Sequence, residues 1–156
     1  MKDKISRRSF LAAAAVSAAA LAVTGCDAKK SKKEVTDITV WNYYNGDQLE
    51  SFNRLVSTFN ETIGKEQGIR VTGSSQGTVN DLEANVMDAA QGKVGSAEMP
   101  TIFAAYADTA YKLDQMGKVV DLKDYLTEDE QAAFVPGYIT EGDFDGSGSI
   151  KIFPVA

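Results

Sequence analysis

Residues 38–59, ITVWNYYNGDQLESFNRLVSTF, change from strand-like to helix-like character near their midpoint. The first seven, 38–44, are mostly β-branched or aromatic, which predicts a β-strand. Gly46 and Asp47 close this strand, and the apolar residues that follow recur at intervals of three and four, which predicts an amphipathic helix. The apolar side of this helix is expected to carry Leu49, Phe52, Leu55, Val56, Phe59 and Ile63.

The same order of strand and then helix recurs along the chain. Further strands or short extended pieces are predicted at 69–74, 100–105, 119–122 and 150–153. The helix after the second strand carries Leu82, Val86 and Ala90, and the helix after the third covers 108–116 and ends at Gly117. Successive β-α units predict an α/β fold with a mixed, mainly parallel sheet and helices on both faces.

Polar residues at the expected positions predict where the helices begin and end. A Ser, Thr, Asp or Asn with an acidic or amide residue three positions later forms a capping box, and Gly favours a helix end. By this pattern Asp47 with Glu50, Asn80 with Glu83, and Thr127 with Glu130 begin three helices, and Gly64 ends the first of them.

The amino terminus has the composition of an export signal. Lys2, Lys4, Arg7 and Arg8 precede an alanine-rich apolar run at 10–23, and this run is shorter than the roughly 20 residues of a membrane-spanning helix. Residues 6–11, SRRSFL, resemble the twin-arginine export signal through Arg7 and Arg8, and the general secretory route is the alternative.

Residues 21–26, LAVTGC, resemble a bacterial lipobox, in which the cysteine is lipidated and becomes the first residue of the mature protein. Cys26 is the only cysteine in the chain, so it forms no intramolecular disulfide. Lipidation requires a thiol, because a thiolate is the nucleophile that attacks the lipid donor. The resemblance implies attachment to the outer face of the cytoplasmic membrane.

The charge of the chain argues against nucleic acid as a partner. The part after Cys26 holds 12 basic and 21 acidic residues, a net charge of −9. Phosphate backbones require a basic footprint, which this composition lacks. The lysines of 28–33, AKKSKK, are interpreted as a solvated tether near anionic lipid headgroups.

Four segments carry a resemblance to a known family: 38–46 ITVWNYYNG, 99–108 MPTIFAAYAD, 117–122 GKVVDL and 150–156 IKIFPVA. In this order, behind a lipoprotein signal, they resemble the first lobe of extracellular solute-binding proteins of the maltose and glycerol-phosphate type, which serve ABC importers. The resemblance covers nearly all of 36–156. It implies a periplasmic-binding-protein-like lobe, ABC permease subunits as partners, and a second lobe beyond residue 156, since such proteins are usually more than twice this length.

The expected organisation of the chain has four parts. A signal peptide occupies 1–25, and the lipidated Cys and its tether occupy 26–36. The first α/β lobe follows at 37–145, and the crossover to the second lobe begins at 146–156.

Candidate ligand-binding residues follow from the position of ligands in open α/β sheets, which bind beyond the carboxyl ends of the strands. The residues expected there are Tyr44, Asn45, Asp47, Gln76, Tyr106 and Asp108. Aromatic faces with polar groups beside them suit a polyhydroxylated small molecule, and the resemblance implies a sugar. Trp41 and Tyr43 are interpreted as core residues of the strand, and Asp47 and Asp108 as alternative helix caps.

Other site chemistries have weaker signals. Residues 143–150, DFDGSGSI, resemble the start of a calcium loop, but Pro154 stands where the bidentate acid is required, so a glycine-rich turn and no metal or cofactor are expected. The chain has no His and no phosphate-binding Gly-rich loop, so we expect no enzyme of those classes. An exported glycosidase using Asp47 and Asp108, or a surface-binding lipoprotein, remains the alternative.

Overall fold

Three parallel strands form the sheet of the computed structural model, which describes residues 35–153. The strands are β1 (Thr36–Asn42), β2 (Ile69–Ser75) and β3 (Ile102–Phe103), in the order β2-β1-β3. β1 pairs with β2 along its whole length, from Thr36 opposite Ile69 to Asn42 opposite Ser75. β3 pairs with the other edge of β1 through Ile102 opposite Val40 and Phe103 opposite Trp41. The predicted α/β class is confirmed, and in the described residues the sheet is parallel throughout.

Helices connect the strands and continue the chain after β3. The α-helices of the described residues are α1 (Gly46–Glu61), α2 (Ile63–Gln67), α3 (Val79–Ala90), α4 (Ala107–Gln115), α5 (Glu128–Ala133) and α6 (Pro136–Ile139). Two short 3-10 helices lie at Lys123–Tyr125 and Thr140–Gly142. In the part that the structure describes, no helix has both the length and the apolar character to cross a membrane.

The register of the strands places helices on both faces of the sheet, as predicted. A Cβ added at Gly73 would lie 2.5 Å from the Phe52 ring of α1, so the face of Gly73 and its partner Val40 is the one that α1 covers. Trp41 and Phe103 point to the opposite face, because successive residues of a strand alternate. Both pack against the buried cluster formed by α3 and α4.

That cluster is the core of the described residues. Leu82, Val86 and Ala90 of α3 are buried together with Leu113 of α4. The three α3 residues are those expected from helical periodicity, and their spacing places them on one side of the helix. Met87, Met99, Ala104 and Val119 are partly buried and pack around the same cluster.

The apolar side of α1 is less buried than its pattern predicts. Leu49, Phe52, Val56 and Phe59 are half-buried, whereas Leu55 is 69% and Ile63 57% exposed. Leu55 therefore lies outside the part of this apolar side that is packed, and Ile63 belongs to the separate helix α2 rather than to α1. Periodicity indicates which residues share one side of a helix. How much of that side is buried depends on which other elements pack against it.

Two of the three predicted capping pairs are wrong by a few residues. α1 begins at Gly46 with Asn45 as N-cap and no side-chain cap bond, so Asp47 and Glu50 form no capping box. α3 is capped by Thr78 and Asp81 rather than by Asn80 and Glu83. The Thr127–Glu130 box at the start of α5 is confirmed.

Helix ends were predicted at Gly64 and Gly117, and the structure contradicts the first and confirms the second. Gly64 does not end α1, which stops at Glu61; it lies inside α2, buried against the Ile69 carbonyl. Gly68, at φ 74°, follows the last residue of α2 and adopts the left-handed conformation that ends helices. Gly117, at φ 67°, follows α4 as predicted.

The predicted strand at 150–153 is absent, and the predicted extended piece at 119–122 does not pair as a strand. The N–H of Ile150 donates to the Asp121 carboxylate at 2.9 Å, and the N–H of Lys151 donates to the Gly142 carbonyl at 3.1 Å. These backbone groups therefore bond to irregular segments instead of a neighbouring strand, although the apolar alternation of the sequence is strand-like. Residues 150–153 lie in the same compact unit as the sheet, and the predicted lobe boundary at 145 stays a prediction.

Candidate functional site

The carboxyl ends of the three strands lie at one edge of the sheet. Asn42 ends β1 opposite Ser75 of β2, and Phe103 of β3 lies opposite Trp41. Two backbone bonds continue the ladders beyond the strands: the Gln76 N–H donates to the Asn42 carbonyl at 2.8 Å, and the Ala104 N–H donates to the Trp41 carbonyl at 3.0 Å. The segments that hold the six predicted ligand-binding residues therefore begin at the same edge.

Tyr44 and Gln76 are held by neighbouring protein groups. The Tyr44 ring is half-buried and meets the Phe52 ring edge-on at 5.4 Å between centroids, and the Tyr44 carbonyl accepts the Ser75 hydroxyl at 2.8 Å. The Gln76 amide donates to the Ser74 hydroxyl at 2.9 Å, and its carbonyl oxygen accepts from Asn85 at 3.1 Å. Both residues shape the edge through these contacts.

Asn45 and Asp47 are exposed at the start of α1. Asn45 is the N-cap in extended conformation, and its side chain makes no cap hydrogen bond. Asp47 stands in the first turn, where a negative charge interacts favourably with the helix dipole. The Asn45 amide is therefore left available at the sheet edge.

Trp41 and Tyr43 differ in burial, although both were expected in the core. Trp41 is half-buried and packs against the α3–α4 cluster. Tyr43 is 38% exposed, with its ring 5.5 Å from that of Tyr44. Trp41 thus fits the core interpretation, whereas Tyr43 presents an aromatic surface at the sheet edge.

Asn42 is a residue of this edge that the sequence reasoning missed. It is 2% exposed, its Oδ1 accepts the Tyr44 N–H at 3.1 Å, and its Nδ2 has no hydrogen-bond partner. An unpartnered buried amide costs about 1–3 kcal/mol. The sequence does carry a signal for Asn42, since it is the one amide residue in 38–44, where the other residues are β-branched or aromatic.

Tyr106 and Asp108 lie at the start of α4, directly after β3. Tyr106 is the N-cap residue, makes no side-chain cap bond and is 62% exposed. The Asp108 carboxylate lies 3.3 Å from the Lys112 ammonium, and both side chains are mostly exposed. Asp108 is therefore not the cap of α4, and its carboxylate is accessible from solvent.

A pocket of about 520 Å³ opens beside Tyr106. Ala105, Tyr106 and Ala107 form one wall, and residues 133–135 with Tyr138 and Glu141 form another. Ile152 and Phe153 complete the lining. Of the six predicted site residues, Tyr106 alone is among the residues that line this pocket.

The glycine-rich segment 143–149 forms hydrogen-bonded turns. Asp145 accepts the Ser147 N–H at 3.1 Å, and Asp143 accepts the Gly148 N–H at 3.1 Å. Gly146 and Gly148 both adopt positive φ, which other residues rarely do. Among residues 35–153, no group of three His, Cys, Asp or Glu side chains is arranged to hold a metal ion.

Several predicted functional residues lie outside the described part of the chain. These are the export-signal residues Arg7 and Arg8 and the lipidation residue Cys26. Their assignments stay predictions.

The comparison with known proteins finds solved structures of similar fold. No family model matches the sequence, and neither does any curated protein. The fold is similar to the crystal structure of a cyclic α-maltosyl-1,6-maltose binding protein from Arthrobacter globiformis, with a TM-score of 0.59 and 20% identity over 72% of this chain. It is also similar to a structure from work on xylan utilisation by Caldanaerobius polysaccharolyticus, with a TM-score of 0.57 and 18% identity over 74% of the chain.

A third structure, solved with mannotriose bound, has a TM-score of 0.56 and 14% identity over 74% of the chain. The chain spans 27% of the length of each of these three proteins. At these identities the likeness shows that the α/β fold of the described residues is shared with part of those proteins.

Proposed function

We propose that the protein is a lipid-anchored, extracytoplasmic carbohydrate-binding component of an ABC importer. The observation that carries this proposal is the edge of strand ends, with exposed aromatic and polar groups, in a fold shared with proteins described as binding cyclic maltosyl-maltose and mannotriose. Pyranose rings have apolar C–H faces and hydroxyl rims, so they suit aromatic side chains beside amides and carboxylates.

The side chains that remain accessible at this edge define the proposed contacts. Tyr43 and Tyr106 offer aromatic faces, while Asn45 and Asp108 offer hydrogen-bonding groups. Tyr44 and Gln76 contribute by holding the edge in place, because the ring and backbone carbonyl of Tyr44 and the side-chain amide of Gln76 are engaged within the protein. A ligand that covers Asp108 must satisfy its carboxylate, which favours a ligand rich in hydroxyl donors.

Calorimetry of the full-length protein against maltotriose, mannotriose and xylotriose tests the carbohydrate assignment. Asp108→Ala is expected to weaken the binding of the preferred sugar by about 1–3 kcal/mol, because a charged hydrogen-bond acceptor is lost. Asp88→Ala is the matched control, since Asp88 of α3 forms a comparable exposed ion pair with Lys93, which follows that helix. Absence of binding to every sugar would contradict the carbohydrate assignment, and equal effects of the two variants would contradict the contact of Asp108 with the sugar.

The transport role is tested in cells. Deletion of the gene is expected to abolish uptake of the bound sugar, and restoration of the wild-type gene to recover it. Hydrolysis of the sugar by the purified protein would instead favour the glycosidase alternative. Saturable binding without turnover supports the importer component.

The export route is tested at the signal sequence. Replacing Arg7 and Arg8 with lysines keeps the positive charge and removes the twin-arginine pair. The precursor is then expected to accumulate inside the cell. Unchanged export would indicate the general secretory route. The same route would be indicated if replacing Lys2 and Lys4 with arginines impaired export as much as replacing Arg7 and Arg8 with lysines.

A further inference from the structure

The pocket beside Tyr106 brings together aromatic residues from three separate parts of the chain. Tyr106 follows β3, Phe134 and Tyr138 lie around the start of α6, and Phe153 lies at the end of the described residues. The Phe134 and Phe153 rings meet edge-on at 4.9 Å between centroids. This contact fixes two rings of the wall against each other.

The aromatic side chains of this pocket are unusually accessible. Tyr106 is 62%, Tyr138 59% and Phe153 51% exposed. Large apolar side chains that are grouped and exposed mark binding surfaces more often than isolated ones do. The volume of about 520 Å³ lies in the range of pockets that hold small ligands.

The polar groups of the pocket select the class of ligand. Glu141 lines it, and among the described residues its carboxylate has no hydrogen-bond or ion-pair partner. No Lys or Arg lines the pocket, so an anionic ligand would meet a negative charge without compensation. A neutral ligand with hydroxyl donors fits both the carboxylate and the aromatic faces.

We propose that this pocket is a pyranose subsite, in which the Tyr138 ring stacks on a sugar face and Glu141 accepts the sugar hydroxyls. The assignment rests on the proposed carbohydrate function and adds residues of 133–153 to the strand-end edge. Tyr106 belongs to both places, because it follows β3 and lines the pocket. A sugar unit in the pocket is therefore contiguous with one bound at the strand ends.

Substitutions at Tyr138 and Glu141 in the full-length protein test the subsite, with maltotriose, mannotriose and xylotriose as calorimetric probes. Tyr138→Ala is expected to weaken the binding of the preferred sugar about tenfold, because stacking area is lost. Tyr138→Phe keeps the ring and is expected to stay within about threefold of wild type. Glu141→Gln is expected to weaken binding about fivefold, because a charged acceptor becomes neutral.

Tyr125→Ala is the matched control, because Tyr125 is 75% exposed and does not line the pocket. Its affinity for sugar is expected to equal that of wild type. Thermal unfolding of each variant checks that the fold is retained. In wild type, ligand NMR is expected to show upfield shifts of pyranose ring protons that lie over an aromatic face, and this readout does not depend on a variant folding.

The outcomes separate the two proposals. If wild type binds a sugar and Tyr138→Ala and Glu141→Gln match Tyr125→Ala, the subsite is overturned while the carbohydrate function stands. If wild type binds none of the sugars, both proposals are overturned. An aromatic pocket with a carboxylate can also hold a quaternary ammonium ion. If Tyr138→Ala and Glu141→Gln weaken the binding of choline and leave the binding of every sugar unchanged, the pyranose assignment is overturned.

Discussion

The Asp121 carboxylate accepts the backbone N–H of Ile150 at 2.9 Å, across 29 residues of chain. The same carboxylate oxygen accepts the Lys123 N–H at 3.0 Å, and the Leu122 N–H donates to the Ile150 carbonyl at 2.8 Å. Beside them, the Lys151 ammonium lies 3.5 Å from the Asp114 carboxylate, with both side chains about four-fifths buried. Asp121 thus attaches residues 150–153, which include the pocket residue Phe153, to the segment that follows α4.

Replacing Asp121 is expected to loosen this attachment. Asp121→Ala removes the acceptor and should increase the hydrogen-exchange rate of the Ile150 amide several-fold, whereas Asp121→Asn keeps an oxygen acceptor and should have a smaller effect. Asp129→Ala, an exposed position in the first turn of α5, serves as control. Unchanged exchange at Ile150 in Asp121→Ala would show that the bond is not needed to hold the segment.

The stability of the protein is expected to fall at acid pH. The Thr78 side chain donates a hydrogen bond to Asp81 and lowers its pKa. The Ile150 N–H does the same for the pKa of Asp121, and the Thr127 N–H for the pKa of Glu130. A carboxyl whose folded pKa is lowered stabilises the fold fully above its unfolded pKa, and this contribution disappears as the pH falls through the folded pKa.

The midpoint of thermal unfolding should therefore be flat at neutral pH and decrease below the ordinary values of 4.5 for Glu and 3.8 for Asp. Asp81→Asn and Glu130→Gln are each expected to flatten the acid side of this profile. Glu98→Gln is the control, since Glu98 is exposed outside any helix and accepts no hydrogen bond from another described group. A profile that Asp81→Asn and Glu130→Gln leave unchanged would refute the assignment.

Gly64 is expected to tolerate no side chain. A Cβ there would lie 2.6 Å from the Ile69 carbonyl oxygen, which belongs to the backbone of β2 and cannot move aside as a side chain does. Gly64→Ala should lower the free energy of unfolding by about 1–3 kcal/mol. Urea denaturation measures this loss in the free energy of unfolding. Gly137→Ala is the control, because nothing lies within 4 Å of a Cβ at Gly137. A Gly64→Ala loss no larger than that of Gly137→Ala would disprove the close approach.

The anchor is expected to depend on Cys26. Cys26→Ala should abolish labelling by a fatty-acid analogue in cells and release the protein from the membrane, because acyl chains contribute about 0.8 kcal/mol per buried methylene. Gly25→Ala keeps a small residue before the cysteine and should be labelled as wild type. Labelling and cleavage of Cys26→Ala at the normal level would show that the lipobox interpretation is wrong.

Local patterns predicted the elements that are regular and packed on one side. The strand at 38–44 was found at Thr36–Asn42, and the strand at 69–74 at Ile69–Ser75. The α3 core residues Leu82 and Val86 followed from spacing alone, because a helical period of 3.6 places them on one face. The Thr127 capping box was found for a similar reason, since its two hydrogen bonds close within one turn.

Long-range contacts decided the rest. The alternation at 150–153 is strand-like, but the Ile150 N–H bonds to a side chain 29 residues earlier, and no local pattern encodes that partner. Tyr44 is a ligand candidate by its position at the end of the predicted strand, and its packing on Phe52 depends on how α1 crosses the sheet. Tyr138, Glu141 and Phe153 share no motif, and only folding brings them beside Tyr106.

The sequence by itself thus determined the α/β class, the order of the first three β-α units and the strand ends where polar and aromatic residues collect. These features follow from periodicity and turn chemistry within about twenty residues. The tertiary structure decided which of these residues stay accessible and which distant residues join Tyr106 in the pocket. Accessibility and proximity depend on packing between segments far apart in the chain, because a side chain is buried only by what the rest of the fold places against it.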